Sequence, residues 1–429
     1  MYKNLKIVAF VPAKSTSDRL ENKNTKIIQG KPLYLHAISK LLSCDLIDEV
    51  VLDSDSSEIL DYYDYLPYKK LKREAALANN NTDGNQLLLN EASYYYADIY
   101  LQLLCTAPLI TTQTITDAIK ILVDSKEYDS VVAVNKKKMY TWTNGSPDYD
   151  IKNIPNSKDL NPIVSENMSL YVVSKQTLED CKSRVGNNPY LFELDNIQSI
   201  DIDNEDDFYT AKSFMLGNSM IEISKLQKLK CVLTSELLSD ALSELGFHNQ
   251  VINLNTNLPN NKSIGRAKTL KIKKLENQDS PDRIYDTMKY YEYLNPNNIL
   301  CIENNLDAAF FGEINAMMST CQGVSAAIVG GITRDIREVT AMNFPVYYDN
   351  NLCTDVKFKG VLDYYDKPIK IQNTEICPDD LIFCDHEGII VIPSVMEEKT
   401  IHIALEAFFN EKKIIHDFAI GVDILNRKF

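Results

Sequence analysis

Near the start of the chain an unbroken apolar run, Ile7-Val8-Ala9-Phe10-Val11, gives way to a polar stretch, Pro12-Ala13-Lys14-Ser15-Thr16-Ser17-Asp18-Arg19-Leu20-Glu21-Asn22-Lys23-Asn24. The pattern predicts a short buried strand feeding a loop, and in open α/β sheets ligands bind at such strand ends. Leu33 to Leu42 reads as a helix, Glu49 to Leu52 as the next buried strand, and Ala97 to Leu104 as another. Asp53 and Asp55 stand where the second strand ends, just before a helix opening at Ser56-Ser57-Glu58, so Asp55 and Ser56 read as its cap. A helix from Asp206 to Leu216 opens with the acids Glu205 and Asp206, which suit the positive end of its dipole. It meets a stop signal at Gly217-Asn218, which predicts two domains, 1–217 and 218–429.

Beyond that boundary Leu237 to Gly246 is amphipathic and stops at glycine, while Gly265 to Ile272 and Asn297 to Ile302 read as strands. Phe311-Gly312-Glu313-Ile314 opens a helix, and Ala326 to Ile332 is a strand that breaks at Gly330-Gly331 into Thr333-Arg334-Asp335. The chain as a whole is therefore expected to be α/β, in two parts.

Composition narrows the function classes. A chain of 429 residues fits two domains, and 45% hydrophobic residues is ordinary for a folded soluble protein. A formal charge of −15 argues against a general nucleic-acid or anionic-membrane binder, though not against binding one nucleotide at a local cation cluster. No apolar run approaches the roughly 20 residues that span a bilayer. The nine cysteines form no CxxC pair and no secretory leader is recognisable, so reduced thiols and a cytoplasmic location are expected.

The first loop carries Lys14, Arg19 and Lys23 among Ser15, Thr16 and Ser17. Hydroxyls, backbone N–H groups and cations at a strand end suit a polyphosphate, although a basic surface loop has the same composition. It has neither the P-loop spacing nor a Gly-x-Gly-x-x-Gly turn. In Ser199-Ile200-Asp201-Ile202-Asp203, an extended backbone would project Asp201 and Asp203 to one face. Two hard oxygen ligands on one face suit Mg²⁺ when phosphate oxygens and water complete its shell.

With Gly30-Lys31-Pro32-Leu33 and Val51-Leu52-Asp53-Ser54-Asp55 added, the first half, to about residue 215, resembles the acylneuraminate and 3-deoxy-octulosonate cytidylyltransferases. The resemblance implies a Rossmann-like nucleotide-diphospho-sugar transferase sheet, with CTP and a sugar acid as substrates and Mg²⁺ as cofactor. It implies that Lys14, Arg19 and Lys23 hold the triphosphate and that Asp201 and Asp203 bind the metal. Ala13, Ser17, Asn24, Arg73, Thr106 and Asn167 would contact the nucleotide or line the acceptor pocket; without the family, Arg73 is a solvated cation. The chain departs from the family's Gln-Pro-Thr-Ser-Pro-Leu-Arg segment at Leu104, Ala107 and Ile110, and Lys14 and Ser15-Thr16 replace the usual Arg and paired glycines. Ser17-Asp18-Arg19-Leu20 is nearer the octulosonate branch.

The second half, about residues 225–425, resembles the family of the regulator of ribonuclease activity A and 4-hydroxy-4-methyl-2-oxoglutarate aldolase. Ser239-Asp240-Ala241-Leu242, Gly265-Arg266-Ala267, Gly312-Glu313, Gly330-Gly331, Arg334-Asp335 and Phe344-Pro345-Val346 occur in family order. On chemical grounds Arg334 offers a bidentate grip on a carboxylate, Asp335 an anchor for a divalent cation, and the helix start at Gly312-Glu313 an anion site. Together they would bind a 2-oxo acid such as pyruvate and stabilise an enolate, with Mg²⁺ or alternatively Mn²⁺. A surface Arg–Asp pair capping a turn is the competing reading.

These readings combine into a cytidylyltransferase that makes a CMP-activated sugar acid, fused to a metal-dependent aldolase or decarboxylase. Glu411 resembles an acid that the aldolases lend across a subunit interface, and a homo-oligomer, a hexamer, is expected. The alternatives are a second domain that only oligomerises or binds proteins, and cytidylyl transfer to another acceptor such as a phosphonate.

Overall fold

The computed structural model describes residues 1–17, 19–79 and 81–421. The chain divides into two compact units, Met1–Leu216 and Gly217–Phe429, taken here one at a time.

In the first unit seven strands form one sheet: β1 Ile7–Pro12, β2 Glu49–Ser54, β3 Lys69–Lys72, β4 Ile99–Leu103, β5 Ser130–Lys137, β6 Ile163–Ser174 and β7 Pro189–Glu193. Their order across the sheet is β7-β5-β6-β4-β1-β2-β3. All neighbours are parallel except β6, which runs antiparallel to both β4 and β5. The apolar run read from sequence is the centre of this sheet: Ile7 to Val11 are fully buried, with Ile7, Ala9 and Val11 packing on one face and Val8 and Phe10 on the other. Both faces are covered, which is why β1 shows no polar alternation. Because β2 lies on one side of β1 and β4 on the other, the strand order reverses there, and the crevice beyond the C-terminal end of β1 is open. Helices α1 Leu33–Leu42, α2 Ser57–Tyr62, α3 Gly84–Tyr94, α4 Thr112–Asp124 and α5 Lys175–Cys181 complete the layers.

The predicted stop at Gly217-Asn218 is not obeyed. Helix α6 runs Glu205–Lys230, with Gly217 in its interior. A glycine costs a helix about 1 kcal/mol, and here flanking residues with good propensity outweigh it.

In the second unit nine strands join in a second sheet: β8 Val251–Ile252, β9 Asn255–Thr256, β10 Ser263–Lys274, β11 Asn298–Asn304, β12 Ala326–Thr333, β13 Val346–Asn351, β14 Gly360–Tyr365, β15 Leu381–Cys384 and β16 Ile389–Ile392. The order is β8-β16-β15-β10-β11-β12-β13-β9, with β14 paired to β10. The parallel core β10-β11-β12-β13 is extended by antiparallel pairing of β15 and β14 on β10 and of β16 on β15. Helix α7, Ser235–Glu244, packs with α10, Glu397–Ala419, over the side chains of Ile264, Phe383 and Ile390. It ends as its glycine predicts, Gly246 taking φ +86°. Helices α8 Glu313–Cys321 and α9 Ile336–Ala341 follow β11 and β12. Among the described residues no helix is long and apolar enough to cross a membrane.

One glycine in the β10 strand is required by close approach. A Cβ on Gly265 would stand 1.9 Å from the backbone oxygen of Asn297, whose own φ is +66°. Gly265→Ala must therefore push β10 from the turn that leads into β11. It is expected to destabilise the second unit by about 1–3 kcal/mol, the usual range for overpacking. Calorimetry checks this: one unfolding transition should fall in temperature, and an unchanged thermogram would remove the constraint.

Candidate active site

The loop after β1 is tied to its neighbours one contact at a time. Ala13 is fully buried and its N–H donates to the Asp53 carbonyl at 2.8 Å. The Asp55 carboxylate accepts from the Ser15 N–H at 2.7 Å and from the Ser15 hydroxyl at 2.6 Å. Asp55 therefore fixes the loop and does not cap α2. That cap is Ser56, whose Oγ accepts from the Ile59 N–H at 3.3 Å. Further along, Asn24 donates through Nδ2 to the Lys14 carbonyl at 2.8 Å and accepts through Oδ1 from the Cys105 thiol at 3.0 Å. Burial pushes that thiol up to about 12, which keeps it a protonated donor. Ser17 is half-buried in the same loop; Asp18 lies outside the described residues.

Lys14, Lys23, Asn24, Arg73, Cys105 and Thr106 line an open cleft of about 280 Å³, with Leu77, Leu87 and Leu104 as its apolar wall. Tertiary structure brings the two acids to the rim. Lys23 Nζ donates to the Ile202 carbonyl at 2.8 Å and lies 3.3 Å from Asp203 Oδ1, while Arg19 Nη1 is 2.6 Å from Asp203 Oδ2. Ile202 is fully buried and its N–H donates to the Thr106 carbonyl at 2.9 Å, so Asp201 and Asp203 flank an anchored residue. Burial raises the Asp201 carboxyl above the usual carboxylate range, against a hydrogen bond from Thr106; Asp203 adds to the rise. Asp201 Oδ1 is buried and has no hydrogen-bond partner. An orphaned carboxylate oxygen beside a second carboxylate fits a hard divalent cation. Among the described residues no three His, Cys, Asp or Glu side chains form a metal cage, so phosphate and water would have to supply the other ligands.

Arg73 is not the solvated cation that its surroundings in sequence allow. It is only 4% exposed, and Asp53 beside it is fully buried. Its Nε lies 3.1 and 3.0 Å from Asp53 Oδ1 and Oδ2, and its Nη2 donates to Oδ2 at 2.7 Å, leaving Nη1 uncommitted to Asp53. Removing one partner of such a buried pair costs about 3–5 kcal/mol. Asn167, on a stretch of β6 where the register shifts, is buried; its Nδ2 donates to the Ser199 carbonyl at 2.8 Å and its Oδ1 has no partner.

In the second unit Gly312, Glu313, Arg334 and Asp335 do converge. Asp335 Oδ2 accepts from the Glu313 N–H at 3.2 Å, so the anion at the start of α8 is the chain's own carboxylate. Arg334 Nε lies 3.5 Å from that same oxygen, and its Nη1 is 2.6 Å from Asp355 Oδ2. Gly312 makes this approach possible, since a Cβ there would stand 2.5 Å from Asp335 Oδ2. The Glu313 side chain is exposed, as is that of Glu411 on α10. Arg334 and Asp355, with Lys357, Tyr285, Phe310 and Asn315, border a cavity of about 170 Å³. With the one carboxylate of Asp335 already engaged by an N–H and a guanidinium, the residues present do not by themselves make a divalent-metal site.

Sequence reasoning missed Asp355 and Lys357, which lie in an irregular segment without periodicity. It also missed Glu91, Gln102 and Arg184, which are polar residues at buried positions of a helix, a strand and a loop. A glutamate on the otherwise apolar face of α3 was the available signal.

Comparison with known proteins gives two family matches that overlap at residues 235–290. A family model described as Cytidylyltransferase matches residues 8–290, and one described as Aldolase/RraA matches residues 235–391. The CMP-N,N'-diacetyllegionaminic acid synthase of Legionella pneumophila is 27% identical over 49% of this chain and 97% of its own length. A putative 4-hydroxy-4-methyl-2-oxoglutarate aldolase of Halalkalibacterium halodurans is 27% identical over 43% of this chain and 84% of its own. Protein DlpA of Legionella pneumophila is 23% identical over 49% of this chain, which spans only 34% of that relative's length. With its sheet reversal, cation-lined cleft and paired acids, the chain belongs to the cytidylyltransferase family, and its second half carries an Aldolase/RraA-like domain.

Proposed function

We propose that the first unit transfers a cytidylyl group from CTP to a sugar acid of the neuraminic, legionaminic or octulosonic type. The observation that carries this reading is the meeting of Lys23 and Arg19 with Asp203 at the mouth of the cleft, across some 180 positions of sequence. Its support from similarity is the family match and a CMP-sugar-acid synthase among the relatives. Lys14, Lys23 and Arg19 would neutralise the triphosphate, and Asn24 and Asp55 hold the loop that presents them. Asp201 and Asp203 would hold Mg²⁺, which supplies charge neutralisation at the phosphates when bound. Arg19 and Lys23 would then exchange Asp203 for phosphate oxygens. A hydroxyl oxygen of the acid bonds to the α-phosphorus as the bond from that phosphorus to the bridging oxygen breaks. Pyrophosphate leaves and the hydroxyl proton passes to solvent. Asn167, whose buried Oδ1 has no partner, would be reached by the acceptor only if the wall around it gives way, and would then accept a hydrogen bond from it.

For the second unit we propose a pocket for a small carboxylate of the 2-oxo-acid class, with Arg334 as its grip. Arg334 is paired with Asp355, and a substrate carboxylate would compete with that partner. No step is assigned to a metal there. Both units would then handle 2-oxo acids, a shared chemistry that gives the fusion a rationale.

Asp203→Asn or Lys23→Ala should lower pyrophosphate release from CTP and a sugar acid by about a hundredfold, the scale of losing one charge-stabilising group. A chelator should stop the reaction and added Mg²⁺ restore it. Full activity in either variant, or no pyrophosphate with any acid of this class, would overturn the assignment. For the second unit, Arg334→Ala should cut pyruvate release from a 4-hydroxy-2-oxo acid or oxaloacetate by about two orders of magnitude. An unchanged rate, or none in the parent protein, would leave this domain a binding or assembly module.

A further inference from the structure

Beneath the nucleotide cleft lies a chain of buried polar side chains that the transfer reaction does not use. Arg73 is bonded to Asp53, and Glu91 on α3, which feels the Asp53 charge, is bonded to Gln102 on β4 and through it to Arg184. Glu91 is fully buried, Gln102 is 1% exposed and Arg184 is 6% exposed. The Arg184 guanidinium also stacks 3.6 Å from the ring centre of Tyr171, whose hydroxyl donates to Glu166.

The donors and acceptors along this chain leave one consistent assignment. Arginine has no acceptor, so Arg184 Nη1, at 3.0 Å, requires the oxygen of the Gln102 amide. Gln102 then turns its NH₂ to Glu91, where Oε2 accepts at 3.0 Å. The other oxygen, Glu91 Oε1, is buried without a donor, and the charge acting most strongly on the Glu91 carboxyl is that of Asp53. Two ionised carboxylates cannot share a dry site, least of all with one oxygen lacking a donor, so one of the two holds a proton. Asp53 is already the bidentate acceptor of Arg73, so the proton belongs to Glu91.

We propose that Glu91 is kept as a neutral carboxylic acid, donates its proton to Asp53, and is thereby a positioning residue that holds Arg73 against the nucleotide cleft. A neutral carboxyl beside Asp53 removes the repulsion between two buried charges, so the Asp53–Arg73 pair can stay dry. The charged and polar groups around Glu91 are Asp53 on β2, paired with Arg73, and Gln102 on β4, bonded to Arg184. The α3 residue Leu88 shares its core with Val8 and Phe10, so β1 offers apolar groups only. Burial, followed by the neighbouring Asp53 charge, raises the Glu91 carboxyl well above the usual carboxylate range, in agreement with this geometry. At the far end a Cβ on Gly84 would come within 2.1 Å of Arg184 Nη1, so the first residue of α3 leaves room for the terminal cation.

The pH dependence has a definite sign. Folding raises the affinity of Glu91 for its proton, so its contribution is complete below about 4.3, the ordinary glutamate value. It is lost progressively as pH rises from there through the folded-state value. Glu91→Gln donates and accepts in the same directions without titrating, so its thermal stability relative to the parent should grow with pH across that window.

The role as an aid to nucleotide binding rests on the cytidylyltransferase reading; the proton and the Arg73 geometry do not. The test therefore reads each separately on the full chain. At pH 7.5 the infrared difference between the parent and Glu91→Gln should contain the C=O band of one protonated carboxyl. In nitrogen-15 spectra the Arg73 Nε–H, assigned by its loss in Arg73→Lys, should be slow to exchange in the parent and in Glu91→Gln. In Glu91→Leu, which fills the space but cannot donate, that signal should exchange fast, and KM for CTP should rise about tenfold, the effect of one lost hydrogen bond. The kcat of Glu91→Leu should change less than its KM, and Glu91→Gln should match the parent in both. A missing carboxyl band overturns the neutral acid, and an Arg73 signal still protected in Glu91→Leu overturns the positioning role. Should the parent fail to bind CTP while both spectroscopic results hold, the nucleotide assignment falls and the shared proton stands.

Discussion

Asp53 is the group on which the first unit's site depends. Its backbone carbonyl receives the N–H of Ala13, and its buried carboxylate receives the Arg73 guanidinium from the strand beyond. One residue at the end of β2 thus fixes where the β1 loop leaves the sheet and where the deepest cation of the cleft is held. A bare charge could not survive at full burial; a planar, bidentate partner lets it do so. The arrangement is costly in desolvation and is better understood as setting geometry than as adding stability.

Around that anchor the site is built from groups that fix the backbone and groups that meet the ligand. Asp55, Asn24 and Cys105 hold the loop through backbone and side-chain hydrogen bonds. Lys14 and Lys23 face the cleft, and Arg19 reaches its rim on a mostly exposed side chain. The cations Arg19 and Lys23 are positioned by their pairing with Asp203. The second unit uses the same device. Arg334 is kept extended between Asp335 and Asp355, and Gly312 gives up a side chain so that the carboxylate can reach the start of α8.

The local pattern of the chain was enough to recognise the strands Ile7–Pro12, Glu49–Ser54 and Ser263–Lys274 and the helix Leu33–Leu42, because continuous apolar runs and amphipathic spacing report burial directly. It was also enough to name Lys14, Arg19, Lys23, Asp201 and Asp203 as chemistry in search of a ligand, since their types and spacing are informative before folding. It misjudged Gly217, where a local stop signal was outweighed by the rest of a 26-residue helix. It misjudged Asp55 as well, because a strand-end acid can cap the next helix or reach back to another loop, and only the spatial neighbour decides.

What the sequence alone could not decide was pairing at a distance. Nothing near Arg73 announces that Asp53 will bury it, and nothing near Glu91 announces a carboxylate across the helix–sheet interface. Whether a charged residue ends in water, on a ligand or inside the core depends on which groups the parallel sheet brings beside it. Parallel strands are by construction joined through long crossovers. Residue type and period therefore determined the elements and the chemical inventory, while the order of strands determined which of those groups meet.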